Sequence, residues 1–231
     1  MSKKLITRKL VVWDVDGTLV DSRETIFESA KGGFALLGEP EPTYEAVRQI
    51  VGLDLREGLG VLLPHRSGAD LDRVVEAYRQ AFQGRVQQPG FIDPLYEGAA
   101  ETLDRLRADG WKIAMATGKS RRGVDLVLRM HAWEDLFDST HCSDDGPGKP
   151  DPAMLFEAMR ALGCGPDQTI MVGDTAHDMR MAKSAGAYAQ GVSWGFHTGD
   201  EVAAGGADHV AHDFTSLNRQ LDAFAQSLRA V

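Results

Sequence analysis

The stretch LVVWDVDGTLVDS, residues 10–22, ends an apolar run on two carboxylates, Asp14 and Asp16, with only Val15 between them. Aspartate is a poor strand former. Two carboxylates in one pocket raise each other's pKa unless a cation neutralises them. The spacing suits a division of labour. One carboxylate can bind a hard cation and act as nucleophile, while the other carries a proton and acts as general acid. Gly17 lets the chain turn tightly and leaves backbone amides free for an anion. Alone, Asp-x-Asp-Gly is equally a turn with a capping aspartate, so the pair needs partners from elsewhere to become a site.

Four candidates stand further along the chain. Thr117 closes the run KIAMAT and is followed by Gly118, which fits a phosphate contact as well as a plain strand end. Lys149 lies between Gly148 and Pro150, where it is a cation for a phosphoryl group or a solvated loop lysine. Asp174 closes TIMVGD, facing a metal or capping the next helix. Asp178, one turn on, either supports the metal ligands from beside them or is favourable charge near a helix N-terminus. His177 is expected at the surface. His131, His141, His197, His209 and His212 form no metal-ligand spacing, and Trp13 and Trp194 read as packing residues.

Bringing these residues together is a matter of the elements that carry them. Short Val-rich runs predict buried strands over 9–14, 112–117 and 169–174, with further strands over 188–193 and 208–211. Helical periodicity fits 97–109, 151–162, 175–185 and 214–229, with Asp151 as an N-cap and Pro152 at the first helical position. Strands alternating with helices give an α/β fold, a doubly wound, Rossmann-like parallel sheet. From Ser22 to Gln88 the alternation stops, and only helical patterns appear, over 22–37, 43–50, 54–63 and a segment capped by Asp70. There Leu71, Val74, Val75, Tyr78 and Phe82 share one face. The expected organisation is a core from residues 1–20 and 89–231 with a small helical insert at 21–88. In open α/β sheets ligands bind outside the carboxyl ends of the strands, where Asp14, Asp16, Thr117 and Asp174 all fall.

Composition excludes several other classes. The 231 residues are 43% hydrophobic and 26% charged, with a formal net charge of −9, so no global basic footprint for nucleic acid exists. The start, MSKKLITRKL, lacks a signal peptide's apolar core, and no apolar run has the length of a membrane span. Cys142 and Cys164 form no CxxC pair and read as free thiols. A cytoplasmic protein with neither nucleic-acid nor membrane partners is expected.

The ordered stretches VVWDVDGTLVDS, MATGKS, GKPDP and VGDTAHDMRMAKSAGA resemble the four signatures of the haloacid dehalogenase-like phosphohydrolases, over essentially the whole chain. The resemblance implies that Asp14 attacks phosphorus and forms an aspartyl-phosphate, while Asp16 protonates the leaving oxygen and later activates water. It implies Mg²⁺ held by Asp14, Asp174 and the backbone carbonyl of Asp16, with Thr117, Gly118 and Lys149 on the phosphate. The insert then resembles the helical cap of the phosphoglycolate phosphatase-like branch, which also holds pyrophosphatases, sugar-phosphate phosphatases and β-phosphoglucomutases. Arg48, Gly52 and Arg56 of RQIVGLDLREGL are cap specificity candidates, and Arg66 is a further cation for a substrate's carboxylate. Asp16 argues against the dehalogenases of this fold, which lack the second acid. Phosphonoacetaldehyde hydrolases use a cap lysine, and the insert holds only Lys31. The expected partner is a small phosphorylated metabolite, and the expected state is a monomer or homodimer. A β-phosphoglucomutase-like phosphomutase, a pyrophosphatase and a non-catalytic phosphate-binding protein are the alternatives.

Overall fold

A computed structural model describes residues 8–228. Residues 1–7, with most of the basic start, and position 229 of the expected last helix lie outside them. Six strands form one parallel sheet: β1 (Leu10–Trp13), β2 (Lys112–Thr117), β3 (Ser139–Cys142), β4 (Thr169–Gly173), β5 (Tyr188–Val192) and β6 (His209–Ala211). Their order is β3-β2-β1-β4-β5-β6. β1 is central, with Trp13 level with Met115 of β2 on one side and Val172 of β4 on the other. The carboxyl ends of β1, β2 and β4 therefore lie side by side.

β1 and β4 are buried along their whole length because both faces of the sheet are covered. Alternate residues point to opposite faces. Val11, Trp13, Ile113 and Met115 meet α5 (Ala99–Ala108), α6 (Arg121–Met130) and α10 (Phe214–Ser227), through Leu103, Val124 and Leu221 among others. Leu10, Val12 and Ala114 meet α7 (Ala153–Leu162), α8 (Ala176–Ser184) and α9 (Gly199–Ala204), through Leu155, Met179 and Val202. Truncating one such residue, as in Leu103→Ala, costs about 2–5 kcal/mol.

Between β1 and β2 the chain makes α1 (Arg23–Leu36), α2 (Tyr44–Ile50), α3 (Leu55–Leu62) and α4 (Gly68–Val86), with no strand among them. Phe34, Leu59, Leu63, Leu71, Val74 and Val75 form a separate hydrophobic cluster within this insert. Its entry and exit run together. Val20 bridges Leu95, the Asp21 amide donates to Pro94 O at 2.8 Å, and the Tyr96 amide donates to Leu19 O at 3.0 Å.

The structure differs from the periodicity reading in several places. β3, α6 and α9 were not expected. β3 is an edge strand of sequence STHC, half exposed and nearly without apolar residues, so hydrophobic pattern cannot find it. α4 starts at Gly68 after Ser67 rather than at Asp70, which falls in its first turn. Thr175, not Asp174, caps α8: its hydroxyl accepts from the Asp178 amide at 3.3 Å, and Asp178 returns the bond in a capping box.

Candidate active site

β1 delivers Asp14 by one more rung of the ladder, its amide donating to Val172 O at 2.9 Å. The chain then folds tightly, with the amides of Thr18, Leu19 and Val20 all donating to Val15 O at 3.0–3.2 Å. Gly17 makes the turn at φ +83°, and a side chain there would lie 2.6 Å from Phe196 Cδ2. Thr18 comes round to donate its hydroxyl to Asp174 Oδ1 at 2.8 Å, while the Phe196 amide donates to Asp174 Oδ2 at 2.7 Å.

Asp14, Asp174 and Asp178 are buried, and oxygen atoms of all three lie within 4.8 Å of one another. Lys149 sits among them with 0% exposure, its Nζ 2.5 Å from Asp14 Oδ1 and 2.6 Å from Asp178 Oδ1. Asp178 is fixed from the other side, its Oδ2 accepting from the Thr175 amide (3.0 Å) and hydroxyl (2.7 Å). Burial pushes the Asp14 carboxyl up to about 7, with Lys149 opposing and Asp178 and Asp16 adding to the rise. Burial likewise holds Asp174 well above the usual carboxylate range, reinforced by Asp14 and Asp178. Burial works against the charge of Lys149, yet Asp14 and Asp178 keep it above the ordinary lysine value.

These numbers test whether a cation fits. Three buried carboxylates against one ammonium leave an excess of two negative charges. Burial raises the Asp14 and Asp174 carboxyls, and their neighbouring carboxylates add to the rise. An all-oxygen donor set of this charge suits a hard divalent ion such as Mg²⁺.

Asp16 lies outside this trio. Its Oδ1 accepts from Ser22 Oγ at 2.5 Å and pairs with Lys119 Nζ at 2.8 Å. Neither Ser22 nor Lys119 was singled out from sequence. The signal was present in both cases, Ser22 closing the DVDGTLVDS run and Lys119 following Thr117-Gly118. Thr117 is buried, its Oγ1 accepting from the Lys119 amide at 3.3 Å.

The insert closes over these groups. A side chain at Gly118 would lie 2.6 Å from Leu53 O and 2.8 Å from Gly52 O, so the turn between α2 and α3 rests directly on the phosphate-site candidate. Gly52, at φ +94°, lines a cavity of about 470 Å³ together with Asp14, Asp16, Thr117 and Lys119.

The expected arginines behave differently. Arg48 binds Glu201 in α9 through two bonds of 2.8 and 3.0 Å, and also Glu45 and Phe196 O. Arg56 lines the cavity, but its guanidinium pairs with Asp72 at 2.8 Å, and Arg66 pairs with Glu39. Each has a nearer carboxylate as its partner. Lys31 is paired with Glu28 and Glu41. His177 is half buried rather than on the surface, its Nε2 3.2 Å from Gln49 O of the insert. Trp13 packs in the core, and Trp194 packs on Phe214 while its indole N–H donates to Thr18 O at 3.1 Å.

A buried acidic cluster bridged by one lysine, at the carboxyl ends of three adjacent parallel strands, is the kind of site that handles phosphoryl groups beside a cation. A family model described as haloacid dehalogenase-like hydrolase matches residues 11–192, and this chain belongs to that family of enzymes. It is 34% identical over 216 residues to a "Probable phosphatase IndB" of Dickeya dadantii (strain 3937), covering 91% of this chain and 92% of the relative. It is 31% identical over 218 residues to a phosphoglycolate phosphatase of Vibrio vulnificus (strain CMCP6), covering 90% and 94%. The crystal structure of a predicted phosphoglycolate phosphatase from Haemophilus somnus 129pt superposes with a TM-score of 0.81 at 22% identity, over 94% of this chain and 99% of that one. That last likeness establishes the shared fold.

Proposed function

We propose that the protein is a Mg²⁺-dependent phosphatase that hydrolyses a small phosphate monoester through an aspartyl-phosphate on Asp14. The observation that carries this is the meeting of Asp14, Asp174 and Asp178, with oxygens within 4.8 Å of one another and Lys149 bonded to Asp14 and Asp178, where Asp14 and Thr117 line one cavity. The phosphatase names of its relatives support the same reading.

Asp14 and Asp174 would hold Mg²⁺, with the Asp16 backbone carbonyl completing the protein ligands; when bound, the ion supplies positive charge against the phosphoryl oxygens. Lys149 holds Asp14 in place and offsets the repulsion between an attacking carboxylate and a phosphate dianion. Thr117 and the Gly118 amide orient the phosphoryl oxygens. An Asp14 oxygen bonds to phosphorus as the bond to the leaving oxygen breaks. Asp16 gives that oxygen a proton. Asp16 then takes a proton from the water that attacks phosphorus, releasing phosphate and restoring Asp14. Such transfer rests mostly on positioning and electrostatics, which this set provides. Asp178 keeps Lys149 oriented from the side.

The insert, residues 21–88, is read as a cap that excludes water when shut and shapes the leaving-group space. The two free, buried cysteines fit a reducing cytoplasm. Among the described residues, no helix is long and apolar enough to cross a membrane.

Phosphate release from a panel of esters, with and without Mg²⁺, tests the proposal. Equal turnover by wild type and Asp14→Asn would end it. Sugar-bisphosphate-dependent isomerisation without phosphate release would assign the phosphomutase role instead.

A further inference from the structure

The space beside the phosphate site has a chemical character of its own. Together with the phosphate site it measures about 470 Å³, within the range, roughly 300–1,000 Å³, of pockets that take drug-sized molecules. The insert contributes Val47, Ile50, Leu59, Tyr78 and Phe82 to its wall, and Leu126 of α6 faces it from the core. The Tyr78 and Phe82 rings lie nearly parallel, 11° apart in plane with centroids 6.5 Å apart. Two parallel rings and branched aliphatic side chains form a wall that favours an apolar, flat-sided occupant.

The cations near this wall point to the same occupant. A short hydroxy acid would present a carboxylate within a few ångströms of phosphorus, and burying it without a partner is costly. Arg48, Arg56 and Arg66 are bound to Glu201, Asp72 and Glu39, and Lys119 is bound to Asp16. Among the described residues, Arg79, Arg122 and Arg129, all three exposed, line the cavity without an ion pair. Arg79 and Arg122 also line an adjoining, more open cleft that neither Asp14 nor Asp16 reaches. The unpaired positive charge therefore sits where the space opens to solvent, while the wall of Val47, Ile50, Leu59, Tyr78 and Phe82 is apolar.

We infer that the leaving group is an apolar, ring-sized alcohol rather than a short hydroxy acid, seated against Tyr78, Phe82 and Leu126. This rests on the phosphatase reading and names the substrate class of that same site. Val47, Ile50 and Leu59 close the space around the ring, and expelling water from these surfaces supplies the selectivity.

The test compares kcat/KM of the Mg²⁺-loaded protein for (2-naphthyl)methyl phosphate, methyl phosphate and phosphoglycolate. All three have alkoxide leaving groups, so differences report on the pocket rather than on an activated aryl oxygen. Acetyl phosphate, small and reactive, reads phosphoryl transfer by itself. We expect the naphthylmethyl ester to exceed phosphoglycolate at least tenfold. Phe82→Ala should lower the ratio of naphthylmethyl to methyl ester at least tenfold, and Phe82→Leu, which keeps the wall apolar, should recover most of it. Turnover of acetyl phosphate with phosphoglycolate preferred would overturn the inference and leave the phosphatase reading standing. So would a ratio that Phe82→Ala does not move. Absence of turnover for every compound, acetyl phosphate included, would overturn both.

Discussion

Asp14 and Asp16 stand one residue apart, yet the fold gives them different company. Asp14 faces Lys149, and its oxygens share space with Asp174 and Asp178. Asp16 turns to Ser22 and Lys119. That separation is what a nucleophile and a proton carrier require, and it yields a prediction about leaving groups. Asp16→Asn should slow the first step, release of the alcohol, about 10²–10⁴-fold for alkyl phosphates, whose alkoxide needs a proton, and far less for aryl phosphates, whose leaving oxygen departs unprotonated, while hydrolysis of the aspartyl-phosphate slows equally for both. Single-turnover release of the alcohol from a matched alkyl and aryl pair checks it, and equal losses on both in that step would remove Asp16 from the acid role. At this scale the residues that meet at the site were legible in the sequence, because Asp14, Thr117, Lys149 and Asp174 each sit in a recognisable run. The partners that orient them were less so. Ser22 and Lys119 look like ordinary helix-start and loop residues until the turn at Gly17 and the end of β2 bring them to the same carboxylate. Likewise Arg48 looked available to a substrate because its partner Glu201 lies 153 positions away.

Among the elements, the buried strands were legible from their apolar runs, and the helical insert from the loss of alternation after Ser22. β3 and α9 were not, because edge strands and single-turn helices owe their form to neighbours rather than to a periodic face. α9 nevertheless has a role: it carries Glu201, which takes Arg48 and, at 2.6 Å, Gln49 of α2. With His177 on Gln49 O, these contacts latch the insert onto the core. If latching favours the closed enzyme, Glu201→Gln should raise KM about two- to fivefold, the scale of one partly exposed ion pair, with kcat changed less than twofold. Its pH dependence follows from sign. The hydrogen bond from Arg48 holds the Glu201 carboxyl well below the usual carboxylate range. A lowered carboxyl contributes its full stabilisation above the usual range and loses it only as pH falls through the folded value. The KM difference between wild type and Glu201→Gln should therefore be the same at pH 5 as at pH 8. A difference that vanished at pH 5 would show that the pair does not work as a latch.

For the molecule as a whole, the unneutralised acidic cluster is a stored cost of folding. Asp14 and Asp174 are pushed up because burial and mutual repulsion disfavour their charged forms. A divalent cation that binds only the folded chain removes that cost and adds stability as RT ln(1 + [L]/Kd), about 2.7 kcal/mol at a hundredfold excess over Kd. For a chain of this length, each kcal/mol moves Tm by roughly 2–4 °C. Saturating Mg²⁺ should therefore raise Tm by about 5–10 °C over the same protein in chelator, a readout independent of turnover. Asp174→Asn supplies the control. An asparagine oxygen can still accept from the Phe196 amide, and its NH₂ can donate to the Thr18 hydroxyl, so the local framework survives. The variant removes one buried carboxylate from the excess, so in chelator it should melt at or above the wild-type temperature, while its Mg²⁺-dependent rise disappears. A wild type whose melting ignores Mg²⁺ would sever the cluster from metal binding. An Asp174→Asn protein that keeps the full shift would move the ion away from Asp174.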